Sequence, residues 1–174
     1  MSESLEYLIE RHIIPISREN EWQGFRDELM WNLDCNDVLA CNLEGLMKVF
    51  NLYTRGYLKT ITFDDVVDLL SKASDLKMSI KDITYCYGMS KMTVSNENDE
   101  KESDKYHKLQ PVEYMELIGR VASIIFKGSE LDELPLNEKM EYVLDDLFTA
   151  VKGLKRKPVI IQEEFEETAS DSDY

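Results

Sequence analysis

The residue types that could do chemistry in this chain are few, and their spacing argues against most of the reactions they could serve. His12 and His107 are separated by most of the sequence, so neither a Cys/His metal site nor a histidine-based triad has enough to draw on. Asp64 with Asp65 and Asp145 with Asp146 resemble hydrolytic carboxylate pairs. Neighbours on a helix, however, point about 100 degrees apart, so these pairs are expected to be solvated helix faces. Cys35, Cys41 and Cys86 are odd in number and form no CxxC pair, and they lie among apolar residues where a thiol serves as a small core side chain. No GxGxxG, P-loop, HExxH or nucleophile elbow occurs, so no cofactor and no enzyme activity are expected. Ser170 and Ser172 alternate with Asp171 and Asp173, a context acidophilic kinases favour, and are candidate modification sites.

Charge narrows the partners. Thirty-five acidic against 20 basic residues leave a formal charge of -15 over 174 residues, which disfavours nucleic acid and anionic membrane surfaces and points to basic or apolar protein partners. The run Lys155, Arg156, Lys157 opposes this trend and is read as a helix end and linker. No stretch approaches the roughly 20 apolar residues of a membrane span, and no secretory signal pattern opens the chain. A cytoplasmic location with reduced thiols is expected.

The elements that would position any site are helical. Hydrophobic residues make up 43% of the chain and recur at spacings of three and four, with only seven Gly and four Pro, so the expected class is all-α. A first helix over residues 3–14 aligns Leu5, Leu8, Ile9 and Ile13 and stops at Pro15. Asn20 is placed to cap a second, with Trp22, Phe25, Leu29 and Leu33 as its stripe and both Trp22 and Trp31 in the core. Asp37 is placed to cap a third helix over about 38–54, and Thr62 a fourth carrying Phe63, Val66, Val67, Leu69 and Leu70. Lys59 to Ile61 between them suits a single β-bridge. Ser79 opens a short helix closed near Gly88, residues 95–108 read as a mobile loop, Pro111 starts a strongly apolar helix, and Leu136 or Asn137 opens the last. Residues 155–174 carry a short apolar patch and six acids, too little to order alone.

One stretch carries a family resemblance. Phe50 to Leu70, FNLYTRGYLKTITFDDVVDLL, resembles an EF-hand: an aromatic-rich entering helix, a twelve-residue loop from Thr54 to Asp65, and an exiting helix. Ile61 falls at loop position eight, where the resemblance implies pairing with the neighbouring loop. Positions one, three, five, six and twelve carry Thr54, Gly56, Leu58, Lys59 and Asp65, a set that does not suit calcium. A second unit resembles the first, with Leu109 at position eight, Glu113 at twelve, and an inserted acidic stretch before a loop beginning at Glu102. Glu102, Asp104 and Glu113 would there be oxygen donors at positions one, three and twelve, but Tyr106 and His107 occupy five and six. The pattern Tyr114-Met115-Glu116-Leu117-Ile118-Gly119-Arg120-Val121-Ala122, with Leu134-Pro135-Leu136-Asn137-Glu138-Lys139, looks like the end of degenerate EF-hand modules of ciliary and flagellar proteins.

The resulting expectation is paired EF-hand-like helix-loop-helix units with extra N- and C-terminal helices. Residues 1–36 form an N-terminal extension, 37–152 the pair with a C-terminal helix, and 153–174 a flexible acidic tail. The resemblance implies a calcium-independent scaffold or linker of a cytoskeletal, axonemal assembly. It would hold an amphipathic partner helix or a microtubule-associated protein against Phe50, Tyr53, Val66, Leu69, Leu70, Tyr87, Met115, Ile118 and Val121. The final or first helix of the chain could instead fill that groove. A calcium sensor using loop 102–113 and a calmodulin-like light chain remain alternatives, and an unrecognised enzyme is the reading from a third class.

Overall fold

Three side-chain caps set where the helices at Leu33, Phe63 and Ile80 begin. Asn32 accepts a hydrogen bond from the Cys35 N–H at 2.9 Å, Thr62 from Asp65 at 3.3 Å and Ser79 from Asp82 at 3.2 Å, each contributing roughly 1 kcal/mol by satisfying an otherwise orphaned amide. The structure is a computed structural model that describes residues 3–14, 22–54, 59–73, 75–92, 96, 98–151 and 153–159. The Pro15 stop, the Asn20 cap, the Trp22 side chain, Gly56, Leu58, Ser170 and Ser172 lie outside the described residues.

In chain order α1 (Glu3–Leu8) runs on into a π-helical turn at Ile9–Ile13, and α2 (Trp22–Gly24) into a second at Phe25–Met30. α3 (Leu33–Tyr53), β1 (Ile61–Thr62), α4 (Phe63–Lys72) and α5 (Ile80–Ser90) follow. α6 (Glu100–Ser103), a 3-10 turn at Asp104–His107, β2 (Lys108–Leu109), α7 (Pro111–Ile125) and α8 (Leu136–Ala150) complete the chain. The class is all-α with a minimal sheet. β1 and β2 pair antiparallel with Ile61 opposite Leu109, the two residues the sequence set against each other, and both are fully buried.

α7 is the central helix, packing on α5 and α8 and also touching α3, while α8 lies across α3 and α4. From Glu113 to Ala122 every α7 residue but Met115 is buried. One continuous core results, joining Met30, Phe50, Ile61, Leu69, Tyr114 and Phe148. Each large side chain buried there contributes about 1.5–3 kcal/mol.

Several boundaries differ from the sequence reading, for physical reasons. α3 starts at Leu33 because Asn32, not Asp37, supplies the cap, so the division drawn at residue 36 falls inside a helix. In the second helix Leu29 and Leu33 are exposed by 48% and 72%, Trp31 is exposed, and the buried residue is Met30. The π-turn explains this: with Trp31 N–H bonded to the Arg26 carbonyl, residues five apart share a face, so Phe25 and Met30 turn inward together. α5 continues past Gly88 to Ser90. Residues 100–107, expected as a mobile loop, are helical turns begun by the Asp99 cap and knitted by Glu102–Lys105 and Asp104–Lys108 ion pairs. The chain after α8 is also placed: buried Asn42 accepts from the Lys157 N–H at 2.7 Å and donates to its carbonyl at 3.0 Å, while Arg156 pairs with Glu141 and Asp145.

α8 seats on α3 through Phe148, whose ring lies over Gly45; a Cβ built there would be 2.7 Å from the ring. Gly45→Ala sets a helix-propensity gain of up to ~1 kcal/mol against an overpacking cost of about 1–3 kcal/mol. Phe148 is almost wholly buried, so the clash dominates. The variant is expected to unfold at lower urea concentration, whereas Gly88→Ala, with open space around its Cβ, does not lose stability.

Candidate functional site

The polar residues of α7 define the candidate site, because they are buried and each must find its partners inside the protein. Glu113 stands in the first turn of α7, where its charge complements the helix dipole. Its carboxylate is 3% exposed and collects three donors: the Gln110 N–H at 2.7 Å, the Met92 N–H at 2.7 Å and the Lys91 ammonium at 2.9 Å. Lys91 is the residue that ends α5, and its side chain is itself only 9% exposed. The same ammonium donates to the backbone carbonyl of Lys108, which the β1–β2 pairing holds opposite Thr62. One cation therefore joins the end of α5, strand β2 and the start of α7.

Tyr87, one turn before Lys91, completes this corner. Its ring meets Phe63 edge-on at 5.3 Å and lies 5.9 Å from the Lys91 ammonium. Its hydroxyl is buried and has no hydrogen-bond partner among the described residues, and burial, with the Glu113 and Asp65 carboxylates adding to it, pushes its pKa up to about 12. Asp65, at the equivalent place on α4, accepts from the Thr62 N–H at 2.9 Å and from its hydroxyl at 2.7 Å.

One turn along α7, Glu116 is wholly buried between two guanidinium groups. Arg26 Nε donates to it at 2.8 Å and Arg120 Nε, from the same helix, at 2.8 Å. Arg26 reaches on to the Lys91 carbonyl at 3.1 Å, and the Arg120 guanidinium lies 4.3 Å above the Phe25 ring. Gly119 admits Met30 between these contacts; a Cβ there would be 2.3 Å from the Met30 sulfur. This network fastens the N-terminal π-turn to the central helix. The Glu116–Arg120 spacing of four inside an otherwise apolar stretch was its signal in the sequence, but nothing local pointed to Arg26 or Lys91.

The expected ligands and contact residues fall as follows. Glu102, Asp104 and Glu113 do not converge: each takes its own lysine, Lys105 at 2.5 Å, Lys108, and Lys91 at 2.9 Å. Among the described residues no three His, Cys, Asp or Glu side chains are grouped to hold a metal ion. Phe50, Val66, Leu69, Leu70, Ile118 and Val121 are core residues, Tyr87 is nearly so, and Tyr53 and Met115 are half-buried against the core. α8, with buried Met140, Val143, Leu144, Leu147 and Phe148, packs across α3, α4 and α7 and so covers the surface those helices were expected to offer a partner. Comparison of the chain with protein-family models, curated proteins and solved structures gives no match.

Glu116→Gln leaves two guanidinium groups in the interior facing a neutral amide. A loss of about 3–5 kcal/mol in urea unfolding is expected, as for removal of one member of a buried ion pair. Tyr87 gives a pH test. Its raised pKa means the folded state keeps the proton longer than the unfolded chain, whose tyrosines titrate near 10. The stability it contributes is thus present below pH ~10 and lost as pH climbs towards 12. Tyr87→Phe should flatten that decline, and by removing the unpartnered hydroxyl should leave stability at pH 7 unchanged or about 1 kcal/mol higher.

Proposed function

We propose that the chain is a non-enzymatic, calcium-independent interaction protein built on an EF-hand-like pair, acting as a scaffold or linker in a cytoskeletal assembly. The observation that carries this reading is the Lys91 ammonium. On the EF-hand count from Glu102, Lys108 stands at loop position seven, which offers its carbonyl to calcium, and Glu113 at twelve, which offers its carboxylate. Lys91 donates to both, so a fixed cation from the protein occupies the place of the exchangeable one. The opposed Ile61 and Leu109 at position eight of each loop support the same count.

A resident cation has a mechanistic consequence. A calcium-gated pair changes its helix packing when the metal arrives, but here the charge that would drive the change is always present, so the pair is held in one state. The filled groove agrees with this: α8 already occupies the surface that a gated pair exposes. The likeness of residues 114–122 and 134–139 to ciliary modules is what supports a cytoskeletal, axonemal setting.

Calorimetric titration of the full chain with calcium tests the reading. No saturable heat up to about millimolar calcium is expected, at concentrations where extracellular-type sites already fill. Lys91→Met, which withdraws the resident cation, should lower stability by roughly 3–5 kcal/mol. A saturable calcium heat in the unmodified protein that disappears in Glu113→Gln would establish the sensor reading instead.

A further inference from the structure

With its groove filled from within, a protein of this kind must meet a partner elsewhere, and one cleft has both shape and charge for it. It opens between the α4–α5 connector, the start of α5, the end of α7 and α8, with a volume of about 370 Å³, within the range of sites that take a small ligand or an anchoring side chain. Leu76, Met78, Ile125 and Phe126 give it an apolar floor. The Phe126 ring is held by edge-on contact with Tyr142 at 5.7 Å. Asp75, Asp82 and Asp146 stand around it.

The acidic groups around the cleft are largely without ion-pair partners among the described residues. Asp82 is engaged by the Ser79 hydroxyl at 2.6 Å, but among the described residues no cation pairs with Asp75 or Asp146. Lys77 also borders the cleft; it is exposed and forms no ion pair among the described residues. Burial, with Asp75 and Asp145 adding to it, raises the pKa of Asp146, so a cation arriving beside it relieves repulsion already present. The carboxyl end of α7, which carries partial negative charge, lies in the same wall. These carboxylates do not group closely enough to share a metal ion. A guanidinium or ammonium on a long apolar stem matches them better, because the stem covers the floor while the head reaches the rim.

We propose that this cleft docks a protein segment that presents an arginine or lysine beside an apolar side chain. This deepens the reading of the chain as an interaction protein, on which it rests, and names the chemistry of the partner. The overall charge of -15 steers such a segment towards the protein, and the cleft gives it one seat.

The test uses the full chain and a synthetic amphipathic helical peptide of leucine, lysine and arginine. A second peptide has the same charge but serine in place of leucine, and titrations run at about 150 mM salt to screen long-range attraction. The leucine peptide should bind saturably, with amide shifts centred on residues 75–78 and 124–126. Asp75→Asn with Asp146→Asn should weaken it about ten-fold, as loss of a hot-spot contact does. Glu28→Gln with Asp34→Asn, an equal charge change at exposed positions outside the cleft, should stay within about two-fold of the unmodified protein. Equal weakening by both variants, equal binding of the serine peptide, shifts centred elsewhere, or no binding would each overturn the proposal. Each titration is run in chelator and in calcium. Binding that maps to the cleft only with calcium supports the cleft while overturning the calcium-independent reading; calcium-blind binding that maps elsewhere does the reverse.

Discussion

α7 has almost no water-facing side between Glu113 and Ala122, and much of the architecture follows from that constraint. A helix enclosed all round is ordinarily apolar, yet this one carries Glu113, Glu116 and Arg120 into the interior. An ion left unpaired there costs several kcal/mol, so each charge requires a partner, and the partners come from distant parts of the chain. Lys91 arrives from the end of α5 and Arg26 from the N-terminal π-turn. Because hydrogen-bonded ion pairs have narrow geometry, they set where those elements sit as well as neutralising the charge. The apolar contacts supply most of the folding free energy, and a stacking of the same helices that separated these pairs would leave buried ions uncompensated.

The π-turn at Phe25–Met30 shows how one such requirement propagates. An α-helical repeat would have put Phe25 and Leu29 on one face, the pattern that sequence periodicity favours. The wider turn brings Arg26 to Glu116, Phe25 beneath Arg120 and Met30 onto Gly119 together, and leaves Leu29 outside. π-Turns are uncommon, and nothing in a single sequence announces one. The same limit explains Leu33 and Asp37: several residues there could cap a helix, and the choice of Asn32 is made by where the chain enters the core.

Other parts were legible because their causes are local. The caps at Thr62 and Ser79, the Pro111 start of α7 and the stripes of α4 and α8 depend on residues within a few positions of one another. The opposition of Ile61 and Leu109 was reached by counting two loops against one template, which fixes register without knowledge of the packing. The candidate site was less legible. Glu113 stood out by position, but its partner Lys91 lies twenty-two residues away at a helix end, a place where lysine is ordinary. Sequence identified the carboxylate and could not identify the cation.

That distinction bears on how the groove came to be filled. α8 packs on α3, α4 and α7, the helices that carry most of the residues expected to bind a partner helix, and it is joined through residues 126–135 to the end of α7. A tethered helix has an effective concentration in the millimolar range or above, so a separate chain competing for the same surface must bind far more tightly to displace it. The Asn42 clamp on Lys157 and the Arg156 bridges to α8 hold the far end of that helix as well. Held at both ends, α8 acts as a permanent part of the core. On the proposed reading as an interaction protein, recognition falls to the outer surfaces, where the placement of charge over apolar area decides which partner can dock.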